Sequence, residues 1–327
     1  MKTQKENNES VFYQIKNKSF LLIGNLIILS LISILMFSSC KKRKEIPEEE
    51  DTEQTTANDN NIAETFVSDI ESMGGQVSET GNISYRSSSE NGLKLDLSPG
   101  ATVTVVGKII TIDFGAVGCL GNDGRTRTGK LIYDYSGSVP SSAIYYRNPG
   151  FKVNITSQNY VVDNYSVTIN NKTISNTSPL NLPLGLNPGT NLTWLINASI
   201  SISKPNNGGS ISWNCSRTKE LVNTNDTNCY KGQSKHIAWN KAIVKLNGST
   251  TGTNAKNEQF TATATNLVRD FSCTPDPSRP MRHPFISGTI SYSPANRPTR
   301  LVDFGNGTCD LNATVTINSK VFTITLP

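Results

Sequence analysis

The sequence predicts an all-β head, an antiparallel sandwich or partly closed barrel, behind an N-terminal signal and a tether. Three observations predict it. Apolar and polar residues alternate with period two along many segments. The separators between them are Pro-Gly, Asn-Gly and Gly-Gly pairs. After Gly75 no stretch of ten residues carries a convincing helical period. Composition agrees, since 24 Gly and 15 Pro stand beside only 4 Met and 2 His in 327 residues. That balance argues against a helical bundle, a multi-span membrane protein and most histidine-dependent catalysis.

The first element is a signal over residues 1–39. Lys2, Lys5, Lys16 and Lys18 precede an uncharged run over 20–39 that ends Phe37-Ser38-Ser39-Cys40. A basic region, an apolar region and small residues before a cut site make a secretory signal. The junction resembles the lipobox of bacterial lipoproteins, departing from it at Phe37, where Leu is usual. The resemblance implies that Cys40 becomes the first mature residue and receives diacylglycerol and a further acyl chain such as palmitate. Buried methylenes contribute about 0.8 kcal/mol each, so several chains make a stable anchor in membrane lipid. The address implied is the outer membrane of a Gram-negative bacterium, facing the periplasm or the surface. The competing reading is a single-pass membrane protein, because twenty uncharged residues can span about 30 Å of hydrocarbon. Lys41-Lys42-Arg43-Lys44 would then hold the head in the cytoplasm, a compartment that suits five further cysteines poorly.

The tether covers 40–75. Residues 41–80 hold 4 basic and 11 acidic side chains, with Glu48-Glu49-Glu50-Asp51 as the core of the run. Self-repulsion keeps such a linker extended. Within it Ile62, Phe66, Ile70 and Met73 recur at helical spacing, with Asn61-x-x-Glu64 as a capping box and Gly74-Gly75 as the stop, which predicts a short helix over 62–73 docking one apolar face on the head.

The head follows over 76–327. Residues 81–327 carry 23 Lys plus Arg against 13 Asp plus Glu, scattered and without an aromatic-interleaved basic motif, so nucleic acid is not the expected partner. Along 193–202, Trp194, Ile196, Ala198, Ile200 and Ile202 alternate with mostly polar residues, as in a half-buried antiparallel strand. Ala313, Val315 and Ile317 alternate before a turn at Asn318-Ser319-Lys320, and Phe322, Ile324 and Leu326 on the return. Further strands are expected at 101–113, 130–135, 151–156, 159–169, 210–214, 259–265 and 286–292. An internal echo suggests two related halves, 76–185 and 186–327. Asp113-Phe114-Gly115-x3-Cys119 matches Asp303-Phe304-Gly305-x3-Cys309 at an offset of 190, and Asn122/Asn312, Thr126/Thr316 and Lys130/Lys320 keep it. Convergent β-turns ending in cysteine explain the echo equally well.

Two blocks carry a wider resemblance. Ile110 to Gly115 followed by Asp123-Gly124-Arg125-Thr126-Arg127-Thr128-Gly129-Lys130, and the closing Val302-Asp303-Phe304-Gly305-Asn306-Gly307-Thr308-Cys309-Asp310, resemble blocks of uncharacterised Bacteroidetes lipoproteins. The resemblance implies a secreted, β-rich lipoprotein and brings no activity with it. The acidic run behind Cys40 resembles the surface-export signals of such proteins, although four basic residues intervene.

Catalytic patterns fail on their spacing. Gly124-x4-Gly129-Lys130 mimics a P-loop, but Leu131 stands where Ser or Thr should hold magnesium. The Asp-Phe-Gly triplets lack the other kinase segments. Their expected role is structural: Asp accepts turn N–H bonds, Phe packs inward and Gly takes a positive φ. His236 and His283 make no zinc motif. Asp303 with Asp310 is the carboxylate pair a glycosidase would use, and Asn306, Asp310 and Asn312 are a weak oxygen-ligand set for calcium. No catalytic residue, metal or cofactor is assigned. Of the five cysteines after Cys40, Cys215 and Cys229 bracket a polar loop and Cys273 and Cys309 flank the 286–292 strand, so both are disulfide candidates. Cys119 is left over, or competes for Cys309. The leading expectation is a non-catalytic anchored protein that binds a surface glycan or an envelope protein. A glycan-active hydrolase and a structural envelope component are the alternatives.

Overall fold

A computed structural model of the chain describes residues 55–79, 100–121, 124–179, 191–224, 226–230, 237–276 and 283–326. The signal, Cys40, the Glu48–Asp51 run and His236 lie outside the described residues. Helix α1 (Thr55–Glu79) is followed by β1 (Thr102–Val106), β2 (Ile109–Asp113), β3 (Cys119–Leu120), β4 (Thr126–Asp134), β5 (Lys152–Val162), β6 (Tyr165–Asn176) and β7 (Leu192–Ser203). Then come β8 (Ser210–Leu221), a 3-10 turn (Trp239–Lys241), β9 (Ile243–Thr253), β10 (Gln259–Asp270), β11 (Phe285–Pro294), β12 (Arg300–Asn306), β13 (Asn312–Ile317) and β14 (Lys320–Thr325).

The fold is all-β apart from α1. The strands form one antiparallel meander in which each pairs with the next, except that β3 caps one end of β4 while β2 pairs with the other. Tight turns set the registers. Asp163-Asn164 joins β5 to β6 and Asn318-Ser319 joins β13 to β14, each with positive φ at both positions. Such turns match the right-handed twist of the strands they join. The stretch expected as one strand over 101–113 is a hairpin, because Gly107 takes φ 60° and folds β1 back on β2. Strands β9 and β12 were not legible. The apolar Ile243, Val244 and Leu246 of β9 crowd one end, and the remainder reads Asn-Gly-Ser-Thr-Thr-Gly-Thr like a loop.

The helix differs most from expectation. It runs for 25 residues rather than twelve, starts well before the Asn61 box and passes through Gly74-Gly75. Nor is it an outlying element on a tether. Ala63, Phe66, Val67, Ile70 and Met73 belong to the main core with Trp194, Trp213, Tyr133 and Tyr160. Ser68 accepts a bond from Arg269 on β10, and the adjacent Asp69 pairs with Arg127 on β4. Six strand spacings separate β4 from β10, about 29 Å in a flat sheet, whereas a helix with its side chains is about 10–12 Å wide. The sheet therefore curls around α1. Along β8, Trp213, Arg217 and Lys219 meet Asn60, Glu64 and Glu71 in that order, so helix and strand run roughly in line.

The curl does not close, since β1 and β14 do not pair with each other. Nor do 76–185 and 186–327 form separate bodies. Strands β6 and β7, on either side of that boundary, pair along nearly their whole length from Ser166–Ser203 to Asn176–Trp194. Among the described residues, no helix is long and apolar enough to cross a membrane.

Candidate functional site

The helix carries charged and polar side chains into the interior of the sheet. Asp59 takes Lys204 Nζ at 2.7 Å, Asp69 takes Arg127 Nη2 at 2.8 Å on both oxygens, and Asn60 accepts from Trp213 Nε1 at 2.9 Å. Asn254 donates to Thr56, while Tyr292 accepts from Asn60 and donates to Asn61. Burial without partners would be costly for each of these groups, and the sheet supplies these partners.

One cluster stands out at mid-helix. Glu71 accepts from Lys219 Nζ at 2.9 Å and from Tyr146 Oη at 2.8 Å, with Lys172 Nζ at 3.7 Å. One turn-pair earlier Glu64 contacts Arg217, whose Nη2 also donates to Thr250 Oγ1 at 2.8 Å. Arg269 reaches Ser68 and lies over the Phe285 ring at 4.3 Å. Lys219 is also 5.0 Å from the Trp239 ring centre. Burial pushes Glu71 upward, but Lys219, Lys172 and the Tyr146 hydroxyl overcome it and hold its carboxyl at about 2. At Glu64 burial wins over Arg217, Arg269 and Lys172, and its carboxyl lies above the usual range. Burial also lowers Lys172 despite the neighbouring Glu71. Beside these groups α1 and strands β7–β11 line a partly open cavity of about 40 Å³, the room of about three waters.

The residues singled out from sequence lie elsewhere. At the end of β2, Asp113 Oδ1 accepts from Gly115 N at 2.9 Å and Oδ2 pairs with Lys130 Nζ at 2.9 Å; Phe114 is buried and Gly115 has φ 73°. In β12, Asp303 Oδ1 accepts from Gly305 N at 2.8 Å; Phe304 is buried and Gly305 has φ 86°. The two triplets are thus the same Asx-turn. Beyond the turn they diverge: Lys130 sits in β4 opposite Asp113, whereas Lys320 opens β14, which pairs with β13. Asp310 is occupied as acceptor for Asn312 N at 2.8 Å. The P-loop mimic falls on β4, where Gly129 with φ 75° makes a bulge pressed against Asn159 O.

Cys273 and Cys309 form a disulfide with Cα atoms 5.5 Å apart. Cys215 and Cys229 are not paired; both are separate buried thiols. Cys215 points inward from β8 between Trp213 and Arg217, while Cys229 lies in the turn before Tyr230, its Sγ 3.5 Å from Asn223 Oδ1. Burial pushes both thiols up to about 12. Cys119 donates to Phe114 O at 3.1 Å. His283 faces the Cys273 carbonyl at 2.9 Å through Nδ1, and burial lowers its imidazole. Among the described residues no group of three or more metal-ligating side chains converges.

The mid-helix cluster was missed from sequence, although a signal existed. Trp213, Cys215, Arg217 and Lys219 share one face of β8 by period two, so two cations sit on an apolar face. Compared with known protein families, curated proteins and solved structures, the chain matches none.

Proposed function

We propose that the protein is a membrane-anchored envelope lipoprotein whose head binds a surface glycan or partner protein without catalysis. The Ser38-Ser39-Cys40 junction carries this reading. Acylation at Cys40 leaves 14 residues before the first residue of α1, at most about 50 Å of chain, so the head works close to the lipid surface. The seating of α1 supports the reading. An element at the anchored end that is locked into the core by Asp59, Glu64, Asp69 and Glu71 transmits a hold on Cys40 to the whole head. The ionisable groups with catalytic potential also favour binding, since Asp303 and Asp310 serve turns and Glu71 is tied by three partners.

Expression in a Gram-negative host with a clickable fatty acid tests the anchor. Wild type should be labelled and sediment with membranes, and Cys40→Ser should lose the label. Equal labelling and sedimentation of both forms would reject the lipoprotein reading in favour of a spanning helix. A glycan array and a pull-down with the same chain identify the ligand class. Turnover of any glycan that vanishes in Asp303→Asn or Asp310→Asn would replace binding by hydrolysis.

A further inference from the structure

The charges around the mid-helix cavity do not balance. Among the described residues Lys172, Arg217, Lys219 and Arg269 face only two carboxylates, Glu64 and Glu71. The neighbouring acids are consumed elsewhere, Asp69 by Arg127 and Asp59 by Lys204. The cluster is positive in each protonation state that keeps Glu71 ionised, even with Lys172 discharged. Arg217 is 3% exposed, and its Nε and Nη1 have no hydrogen-bond partner; the buried Nε of Arg269 is likewise unpartnered. Unpaired buried guanidinium N–H groups and an uncompensated buried charge are each costly. Both arginines line the cavity of about 40 Å³, with Lys219 and Ser68 beside them.

We propose that this cavity is a binding site for a small oxyanion of the size of phosphate or sulfate, held by Arg217 and Arg269 with Lys219 and Ser68 as further donors. The planar donor fork of arginine matches an oxyanion better than a spherical halide. The Ser68 hydroxyl, which accepts from Arg269 Nη1, keeps its own proton to donate. The volume suits a single tetrahedral ion. Bound there, the ion bridges α1 to β8 and β10 and brings the cluster close to neutrality. The site does not depend on the anchor or on what the head binds outside.

Equilibrium dialysis of the detergent-solubilised full chain against radiolabelled inorganic phosphate tests this directly, with thermal unfolding in phosphate, sulfate or chloride at matched ionic strength. The expected result is one saturable phosphate per chain, displaced by sulfate, and a rise in Tm with either oxyanion that chloride does not reproduce. Arg269→Gln should weaken phosphate binding by about tenfold or more, the loss of one charge-assisted contact. Lys204→Gln, which breaks the Asp59 pair near the start of α1, should leave it unchanged. No saturable phosphate on the wild-type chain, equal stabilisation by chloride, or full affinity in Arg269→Gln would each overturn the proposal. Should Arg269→Gln fail to fold, the wild-type dialysis and the chloride comparison still decide.

Discussion

Glu71 shows how a single residue governs the interior. Its carboxylate is the acceptor for Lys219 and Tyr146 and the nearest anion to Lys172. Glu71→Gln leaves two lysines without that charge, and breaking one side of a buried pair typically costs 3–5 kcal/mol. Urea unfolding at neutral pH should register a loss of about that size. The pH dependence follows from the same contacts. A carboxyl at 4.5 when unfolded and about 2 when folded contributes stability that is complete above 4.5 and is lost as pH falls toward 2, a span worth about 3 kcal/mol. Glu64 works in the opposite sense, because its folded state holds a proton above the usual range. Acid titration of stability should therefore lose its steep component between 4.5 and 2 in Glu71→Gln. Thiol chemistry is a second check at this scale. With Cys215 and Cys229 buried and pushed up to about 12, iodoacetamide should label the half-buried Cys119 first in the native chain. Equal early labelling of Cys215 would contradict its place in the core.

At the scale of elements, α1 carries the sharpest test. Gly74 and Gly75 read as a helix stop, yet the helix continues through both. A Cβ at Gly74 would meet Tyr133 Cε1 at 2.4 Å, whereas one at Gly75 meets nothing within 4 Å. The Tyr133 ring cannot retreat, since it is buried and its hydroxyl donates to Ile70 O. Gly74→Ala should destabilise by about 1–3 kcal/mol through overpacking, despite its better helix propensity. Gly75→Ala should be neutral or gain up to about 1 kcal/mol. Thermal melts of the two variants should move apart, and a common shift would mean that Tyr133 does not pack on this turn. The disulfide belongs to the same scale, fastening the start of the β10–β11 connection to the segment after β12. It closes a loop with a sequence separation of 36, worth about 3–4 kcal/mol in the chain-entropy model. The double variant Cys273→Ser/Cys309→Ser should fold with a stability lower by about that amount in denaturant titration.

At the scale of the whole molecule the curled sheet and its helix share a main core, and a second core cluster joins β10 to β11–β14. The main core runs without a break from α1 and β2 to β10, so residues 186–327 expressed alone should not give a folded half. The full chain should unfold in one transition, with tryptophan fluorescence from Trp194, Trp213 and Trp239 coinciding with the far-ultraviolet signal. Two separated transitions would revive the picture of two halves. Deleting 55–79 should abolish that transition, because Arg217, Lys219 and Lys172 would lose their carboxylate partners together with the apolar stripe they surround.

The sequence by itself determined what depends on near neighbours. Period two made the strands, as in Trp194 to Ile202, and Asn318-Ser319 marked the last turn, because alternation and left-handed turn conformations are local properties; the turn at Asp163-Asn164 breaks a stretch that reads as one strand over 159–169. The Asp-Phe-Gly turns belong there too, since each acceptor and donor lie two residues apart. The acidic balance before residue 80 and the basic balance after it were also legible, as two numbers. Only the tertiary structure decided that these charges meet inside the molecule. The contacts of Glu71 with Lys172 and Lys219 bridge about 100 and 150 residues, and no local pattern separates a cation turned toward solvent from one turned toward a buried helix. The cysteines divide the same way. Spacing offered both pairs equally, and the burial of Cys215 on the inner face of β8 decided against one of them.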